Sequence, residues 1–178
     1  IANFTNHVYF NLGGYKSGSA LDQKVWIDAD YFTATDVNSI PTGELVAVKG
    51  TPMDFTEMKP IGRDIQEDYQ ALKYGNGYDH NWALNHPAGE LSLSAKAEDE
   101  KTGRTMEVYT DLPGVQFYTA NSLKTEHGKN HAVYTPRCGY CFETQYFPDA
   151  INKPEFASPV IKAGEEYKTT TIYKFGVK

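Results

Sequence analysis

The sequence predicts an all-β protein, built as a single sandwich-like unit. The dominant hydrophobic period is two, and turn residues interrupt it at short intervals. The 178 residues include 13 tyrosines and 9 phenylalanines, which favour the pleated, half-buried surface of a sheet. Stretches with helical periodicity are scarce. A chain of this length buries enough surface to form a sizeable core without disulfide bonds.

The first predicted strand covers residues 4–12, where an apolar face alternates with a face that carries His7 and Tyr9. Gly13-Gly14 follows as a turn signal. A second alternation, in which Val25 and Ile27 are the apolar positions, predicts another short strand.

One helix is predicted over residues 63–73. Ile65, Tyr69 and Leu72 fall at helical spacing, and Gly75 follows as a stop signal. We expect this helix to be short and to lie within a long loop region, residues 50–90.

The second half of the chain returns to the two-residue period. Residues 91–97 and 106–110 each alternate, and Thr102-Gly103 between them predicts a β-hairpin. A last β-branched and aromatic run, residues 166–175, predicts a C-terminal strand.

The charge distribution excludes several classes of partner. The net charge is −6 and the positive residues are scattered, so neither a nucleic acid nor an anionic membrane surface is an expected partner. No apolar run approaches the roughly 20 residues that cross a bilayer. Two cysteines do not make a disulfide framework, and we expect a cytoplasmic location.

Two spacings are reminiscent of metal or redox sites. Cys138 and Cys141 form a C-x-x-C motif, but no second ligand pair and no helix follow it, so two strand cysteines without redox function are the preferred interpretation. His127 and His131 converge on a metal only if the segment is helical, and the Gly and Asn between them favour a loop.

The stretch around residues 75–84 leaves two alternatives open. Gly75-Asn76-Gly77 lacks the third glycine of a dinucleotide-binding loop. Asp79-His80-Asn81 fits either a metal-binding triplet or a capped turn that enters a strand containing Trp82.

Glu143 and His7 are the strongest candidates for chemistry. Glu143 lies in an apolar, aromatic stretch and shares a strand face with Cys141 and Gln145. Partial burial would raise the pKa of this carboxyl from about 4.3 towards a value suited to a general base. His7 is similarly placed on the polar face of the first strand. On composition alone, a hydrogen-bonded structural role is the preferred interpretation for both side chains.

Ordered motifs give the sequence a family resemblance. They span essentially the whole chain: NHVYFNL (6–12), IPTGE (40–44), TPMDF (51–55), GYDHNW (77–82), EVYT (107–110), PGVQFYT (113–119), CFETQ (141–145), FPDAIN (147–152) and GEEY (164–167). In this order they resemble the aldose 1-epimerases, also called galactose mutarotases.

This resemblance implies a large antiparallel β-sandwich that interconverts the α and β anomers of free hexoses such as galactose and glucose, with no metal or cofactor. By motif match, Glu143 is the base that takes the proton of the C1 hydroxyl, and His7 is the acid that protonates the ring oxygen. Asp79 and Gln116 match positions that hold sugar hydroxyls, and aromatic side chains such as Tyr118 would line the pocket.

The same resemblance implies that residues 1–178 are the C-terminal portion of one mutarotase-like domain. Nothing in the chain matches the family's N-terminal half, which carries a further His and an Arg that contact the sugar. We therefore expect that half as a partner, for instance on another chain, and exposed strand edges where it would pack. A non-catalytic carbohydrate-binding domain on the same fold is the alternative function.

Overall fold

The computed structural model describes residues 1–178 and is built from ten strands and one short helix. In chain order they are β1 (Lys24–Ile27), β2 (Tyr31–Thr35), β3 (Pro41–Ala47), β4 (Lys59–Pro60), α1 (Gln70–Gly75), β5 (Asp79–Ala83), β6 (Ser92–Glu98), β7 (Arg104–Thr110), β8 (Gly114–Tyr118), β9 (Cys141–Gln145) and β10 (Thr171–Val177). No helix has the length and apolarity that a membrane crossing requires.

The strands form two five-stranded antiparallel sheets. Sheet I has the order β10-β7-β6-β1-β4, and sheet II has the order β3-β2-β5-β8-β9. The predicted hairpin joins β6 to β7, and Gly103 takes a positive φ of 72° in its turn. The predicted all-β, antiparallel architecture is therefore confirmed.

One apolar core receives side chains from both sheets. Val25 and Ile27 of β1 and Val108 of β7 are fully buried, as their alternation predicts. Sheet II contributes large aromatic side chains, among them Trp82 and Phe117, to the same cluster. Each ring in this group lies within about 5–7 Å of another, mostly edge to face, which is the favoured arrangement of aromatic pairs.

The core uses only one face of sheet II. Along β5 and β9, the side chains of His80, Trp82, Phe142 and Thr144 point to the core side, because side chains alternate between the two faces of a strand. The side chains between them, including Glu143, therefore emerge on the opposite, outer face.

The strand predicted over residues 4–12 is wrong. This segment makes a single β-bridge, between Phe10 and Tyr140, and is otherwise extended without ladder partners. Its alternating pattern satisfies the strand period, but no neighbouring strand of this chain pairs with residues 4–9, and Phe4 and Val8 remain exposed.

The predicted helix is shorter than its pattern. Residues 61–66 form consecutive turns, in which the Asp64 carboxylate binds both Arg63 and the fully buried Lys59. These contacts favour tight turns over a helical start, so α1 begins only at Gln70. It ends where Asn76 takes a left-handed conformation, with φ of 51°.

Two further boundaries differ from the predictions. Asp79-His80-Asn81, for which the sequence predicts a metal-binding triplet or a capped turn, forms the first three positions of β5, paired with β8. The C-terminal strand begins at Thr171 rather than at residue 166, because only residues 171–177 pair with β7.

Candidate active site

The four predicted site residues line one open cavity on the outer face of sheet II. His7, Asp79, Gln116 and Glu143 border a space of about 370 Å³. The remaining lining residues are Tyr9, Tyr118, Gln145 and Pro148. A site of this size with several convergent polar groups is a typical setting for a small ligand.

Strand register explains why three of these residues meet. Gln116 of β8 lies opposite Glu143 of β9 and, on its other side, opposite Asn81 of β5. Asp79 lies two residues before Asn81 and opposite Tyr118. Directly opposed residues of antiparallel strands point to the same face, so these polar side chains form one continuous patch.

Glu143 is the group in this patch whose acidity is most altered. Burial raises its pKa to about 7, and the nearby Asp79 carboxylate adds to the shift while His7 opposes it. His7 Nε2 lies 3.3 Å from Glu143 Oε1. A carboxyl with this pKa can exchange a proton near neutral pH, as a general acid–base catalyst must.

His7 reaches Glu143 from the extended N-terminal segment. Half of its side-chain surface is exposed. Its ring packs beside the rings of Tyr9 and Tyr118, with centroid distances of 5.0 and 5.8 Å. Its Nδ1 lies 3.5 Å from the Sγ atom of Cys141. The imidazole is thus bordered on three sides, and its free side opens to the cavity.

Side-chain hydrogen bonds, rather than a β-ladder, hold the segment that carries His7. The Tyr173 hydroxyl donates to the Phe142 carbonyl oxygen at 2.6 Å and lies 2.8 Å from Oδ1 of Asn6. One hydroxyl therefore connects the residue before His7 to the residue before Glu143. Farther along, the Asn3 side chain pairs with the backbone of Tyr146 through two hydrogen bonds.

Asp79 and Gln116 form a hydrogen-bonded pair at one side of the cavity. Gln116 Nε2 donates to Asp79 Oδ1 at 2.8 Å, and Gln116 Oε1 makes no hydrogen bond within the protein. Burial raises the pKa of Asp79, and the bond from Gln116 and the charge of His7 limit this increase. The pair offers an oxygen acceptor and a carboxylate to hydroxyl groups of a ligand.

Sequence reasoning did not assign Tyr9, Gln145 or Pro148 to the cavity, nor Cys141 to its edge, where the thiol contacts His7. For Gln145 and Cys141 a signal was present, since they share a strand face with Glu143. For Pro148, which follows β9, no periodic pattern exists that would place it at the cavity.

The other sequence candidates lie outside this cavity. Cys138 is a free thiol, half-buried in the bend before β9, and Cys141, also free, contacts His7 but does not line the cavity. His127 and His131 are exposed in a loop with one short 3₁₀ turn. A larger cleft of about 870 Å³ at the start of β2 contains carboxylates such as Asp30 but no histidine or cysteine. It lacks a pair suited to acid–base chemistry.

Comparisons with known proteins agree with the sequence motifs. The family model described as aldose 1-epimerase matches residues 1–174. The chain is 44% identical over 176 residues to the human galactose mutarotase and 34% identical over 175 residues to the Escherichia coli aldose 1-epimerase. These alignments cover 98% and 97% of the chain, and 50% of each relative.

Solved structures give the same picture for the fold. The GalM/aldose epimerase homologue of C. elegans matches with a TM-score of 0.85 at 22% identity, over 98% of this chain and 51% of that one. The galactose 1-epimerase of Lactobacillus acidophilus matches with a TM-score of 0.75 at 26% identity, over 98% and 48%. The chain spans about half the length of the relatives that it matches. On the extent of these matches, the chain belongs to the aldose 1-epimerase family.

Proposed function

We propose that the protein interconverts the α and β anomers of free hexoses such as galactose and glucose. Glu143 acts as the general base and His7 as the general acid, and Asp79 and Gln116 hold hydroxyl groups of the sugar. The observation that carries this proposal is the convergence of a carboxyl with raised pKa and an imidazole in one open cavity, in a chain of this family.

The proposed reaction transfers protons and breaks and re-forms one bond, the bond between C1 and the ring oxygen. Glu143 removes the proton from O1 while His7 protonates the ring oxygen, and the C1–O5 bond breaks to leave a carbonyl at C1. After rotation about C1–C2, the two residues reverse roles and the ring closes on the other face. Each well-placed acid or base contributes roughly 10²–10⁴ in rate.

The direct contact between Glu143 and His7 is compatible with these roles. The anomeric and ring oxygens are both bonded to C1, so their acid and base must stand near each other. The bound sugar would replace the contact of 3.3 Å, with O1 at Glu143 and the ring oxygen at His7. The half-exposed His7, which no β-ladder holds, can make the small displacement that this requires.

We also propose that residues 1–178 form the C-terminal portion of one mutarotase-like sandwich domain. The coverage of about half of each relative supports this division. Exposed apolar side chains at the ends of the chain, such as Phe4, Phe175 and Val177, suit packing against a further half, whether it belongs to a longer chain or to a separate one. The free thiols of Cys138 and Cys141 favour the reducing cytoplasm as the location.

Anomerisation of freshly dissolved α-galactose tests the function. We would measure it by polarimetry on the natural full-length protein, wild type and Glu143→Gln. The substitution should lower the rate by about 10²–10⁴ while the fold survives, because glutamine keeps the shape but cannot accept the proton. Glu107→Gln is the matched control, since this carboxylate lies on β7 of the other sheet, paired with Lys174, and its rate should equal that of the wild type.

Three outcomes separate the alternatives. A wild-type rate no faster than that in buffer would refute the enzymatic proposal. Hexose binding by calorimetric titration without anomerisation would favour the non-catalytic carbohydrate-binding domain. An unchanged rate in Glu143→Gln would remove Glu143 from the role of base.

A further inference from the structure

A thiol, an imidazole and a carboxylate meet at the edge of the cavity. Cys141, His7 and Glu143 each present one potential metal ligand, and these three atoms lie within 4.8 Å of one another. Cys141 and Glu143 are fixed by alternate positions of β9, on the same strand face. The acid–base chemistry proposed above uses His7 and Glu143 but leaves the buried thiol without a role.

The ligand set is that of a borderline-soft cation. Sulfur and imidazole nitrogen favour Zn²⁺, whereas Mg²⁺ and Ca²⁺ prefer an all-oxygen shell. Zinc bonds of about 2.0–2.3 Å place tetrahedral ligand atoms roughly 3.3–3.8 Å apart. The contacts of 3.5 Å from Cys141 Sγ to His7 Nδ1 and 3.3 Å from His7 Nε2 to Glu143 Oε1 are close to this spacing.

His7 has to reorient for chelation, and the three ligand atoms have to close from within 4.8 Å of one another to the zinc spacing. In the structure the two ring nitrogens of His7 face different neighbours, whereas a single metal ion needs one nitrogen between the sulfur and the carboxylate. The side chain is half-exposed, so a rotation of the ring meets little resistance on its open side. The cavity leaves a fourth position free for water or another small ligand, as in zinc sites with three protein ligands.

We propose that Cys141, His7 and Glu143 form an inhibitory Zn²⁺ site. A bound ion would occupy the lone pairs that Glu143 and His7 need for proton transfer, so metal and sugar turnover exclude each other. The inhibition rests on the proposed function, but metal binding itself does not.

Spectroscopy with Co²⁺ as a substitute for Zn²⁺ tests binding independently of activity. A thiolate bound to Co²⁺ produces a sulfur-to-metal charge-transfer band in the near ultraviolet. The natural full-length protein should show this band, Zn²⁺ should displace it, and Cys141→Ser should abolish it. Cys138→Ser is the matched control, because Cys138 lies outside the cluster, and it should keep the band.

The inhibition is measured as the Zn²⁺ concentration that halves the rate of anomerisation, relative to the metal-free rate of each variant. Cys141→Ser should raise this concentration more than about tenfold, since loss of a ligand costs at least as much as loss of an outer contact. Cys138→Ser should match the wild type, a chelator should restore the rate, and Mg²⁺ should not inhibit.

Two results would overturn the site. One is a wild-type protein that shows no charge-transfer band, and the other is a band that persists unchanged in Cys141→Ser. Should Cys141→Ser fail to fold, Glu143→Gln serves as the second variant, because an amide is a poor zinc ligand, and it should weaken Co²⁺ binding. A band that depends on Cys141 in a protein without anomerase activity would support the metal site and refute only the proposed function.

Discussion

One core histidine, His80, should contribute a loss of stability in mild acid, opposite in sign to the contribution of Glu143. His80 lies on the inner face of β5, 1% exposed, with its ring edge-on to Phe32 and Trp82. Its Nδ1 accepts a hydrogen bond from the Asp79 amide, and its Nε2 makes no hydrogen bond of good geometry. Burial lowers its pKa to about 4, and the Ala71 carbonyl opposes this shift only in part.

The shift gives both the sign and the size of the effect. Because the folded protein holds His80 neutral, the unfolded chain binds one more proton between the ordinary pKa of 6.5 and about 4. The free energy of unfolding is therefore fully retained above pH 6.5 and declines as the pH falls towards 4. At 1.36 kcal/mol per pKa unit, the total loss from this group is about 3 kcal/mol.

Urea denaturation from pH 7 to pH 4 measures this loss in the natural full-length protein. His80→Asn keeps an oxygen acceptor near the Asp79 amide but cannot titrate. It should be less stable than wild type at pH 7, because it leaves a void. The difference in unfolding free energy between the two proteins should shift by about 3 kcal/mol in favour of the variant as the pH falls to 4. His127→Asn removes an exposed loop imidazole and should keep the wild-type slope. Parallel pH profiles for wild type and His80→Asn would refute the reasoning.

Three further predictions concern the site and its support. Tyr173→Phe removes the hydroxyl that connects the segments carrying the acid and the base, and kcat for anomerisation should fall about tenfold. The acidic limb of the rate profile should move to higher pH, because a displaced His7 lowers the pKa of Glu143 less; a wild-type profile would contradict the link. Glu143→Gln should be more stable than wild type above pH 7, by on the order of 1 kcal/mol after allowing for partial exposure of the carboxyl. The reason is that the raised pKa of Glu143 makes wild type lose stability as the pH rises from 4.5 to about 7. Equal denaturation midpoints at pH 8 would contradict this. Lys59→Met should cost about 2 kcal/mol of unfolding free energy, because it breaks a buried ion pair with Asp64. Lys101→Met, which removes an exposed pair with Asp22, should cost far less in the same assay.

The fold was predictable where a strand shows one face to the core. The alternation at Val25 and Ile27, or around Val108, reports burial on one side directly, and these side chains are fully buried. The segment of residues 4–12 has the same alternation without the pairing. A period of two identifies an extended chain, but whether a partner strand lies beside it depends on distant residues.

The candidate site likewise has features that follow from sequence spacing and features that need the tertiary structure. That Glu143 shares a face with Gln145 follows from sequence spacing alone. The position of Gln116 opposite Glu143 depends on long-range strand register. The contact between His7 and Glu143, 136 positions apart in the sequence, depends on tethers such as Tyr173. No local sequence pattern encodes either feature. The motif resemblance supplied these residues without supplying their geometry.

Sheet II has an apolar face in the core and a polar face at the cavity, and this contrast helps to fix the strand register during folding. If β9 slipped by one residue against β8, Glu143 would enter the aromatic core and Phe142 would enter the cavity. Such a misfolded state would both bury a carboxylate and expose a large ring, so the core packing itself selects the register that aims the polar face. Variants selected only for folding would therefore keep the backbone geometry of the site, even if sugar chemistry were never part of the selection.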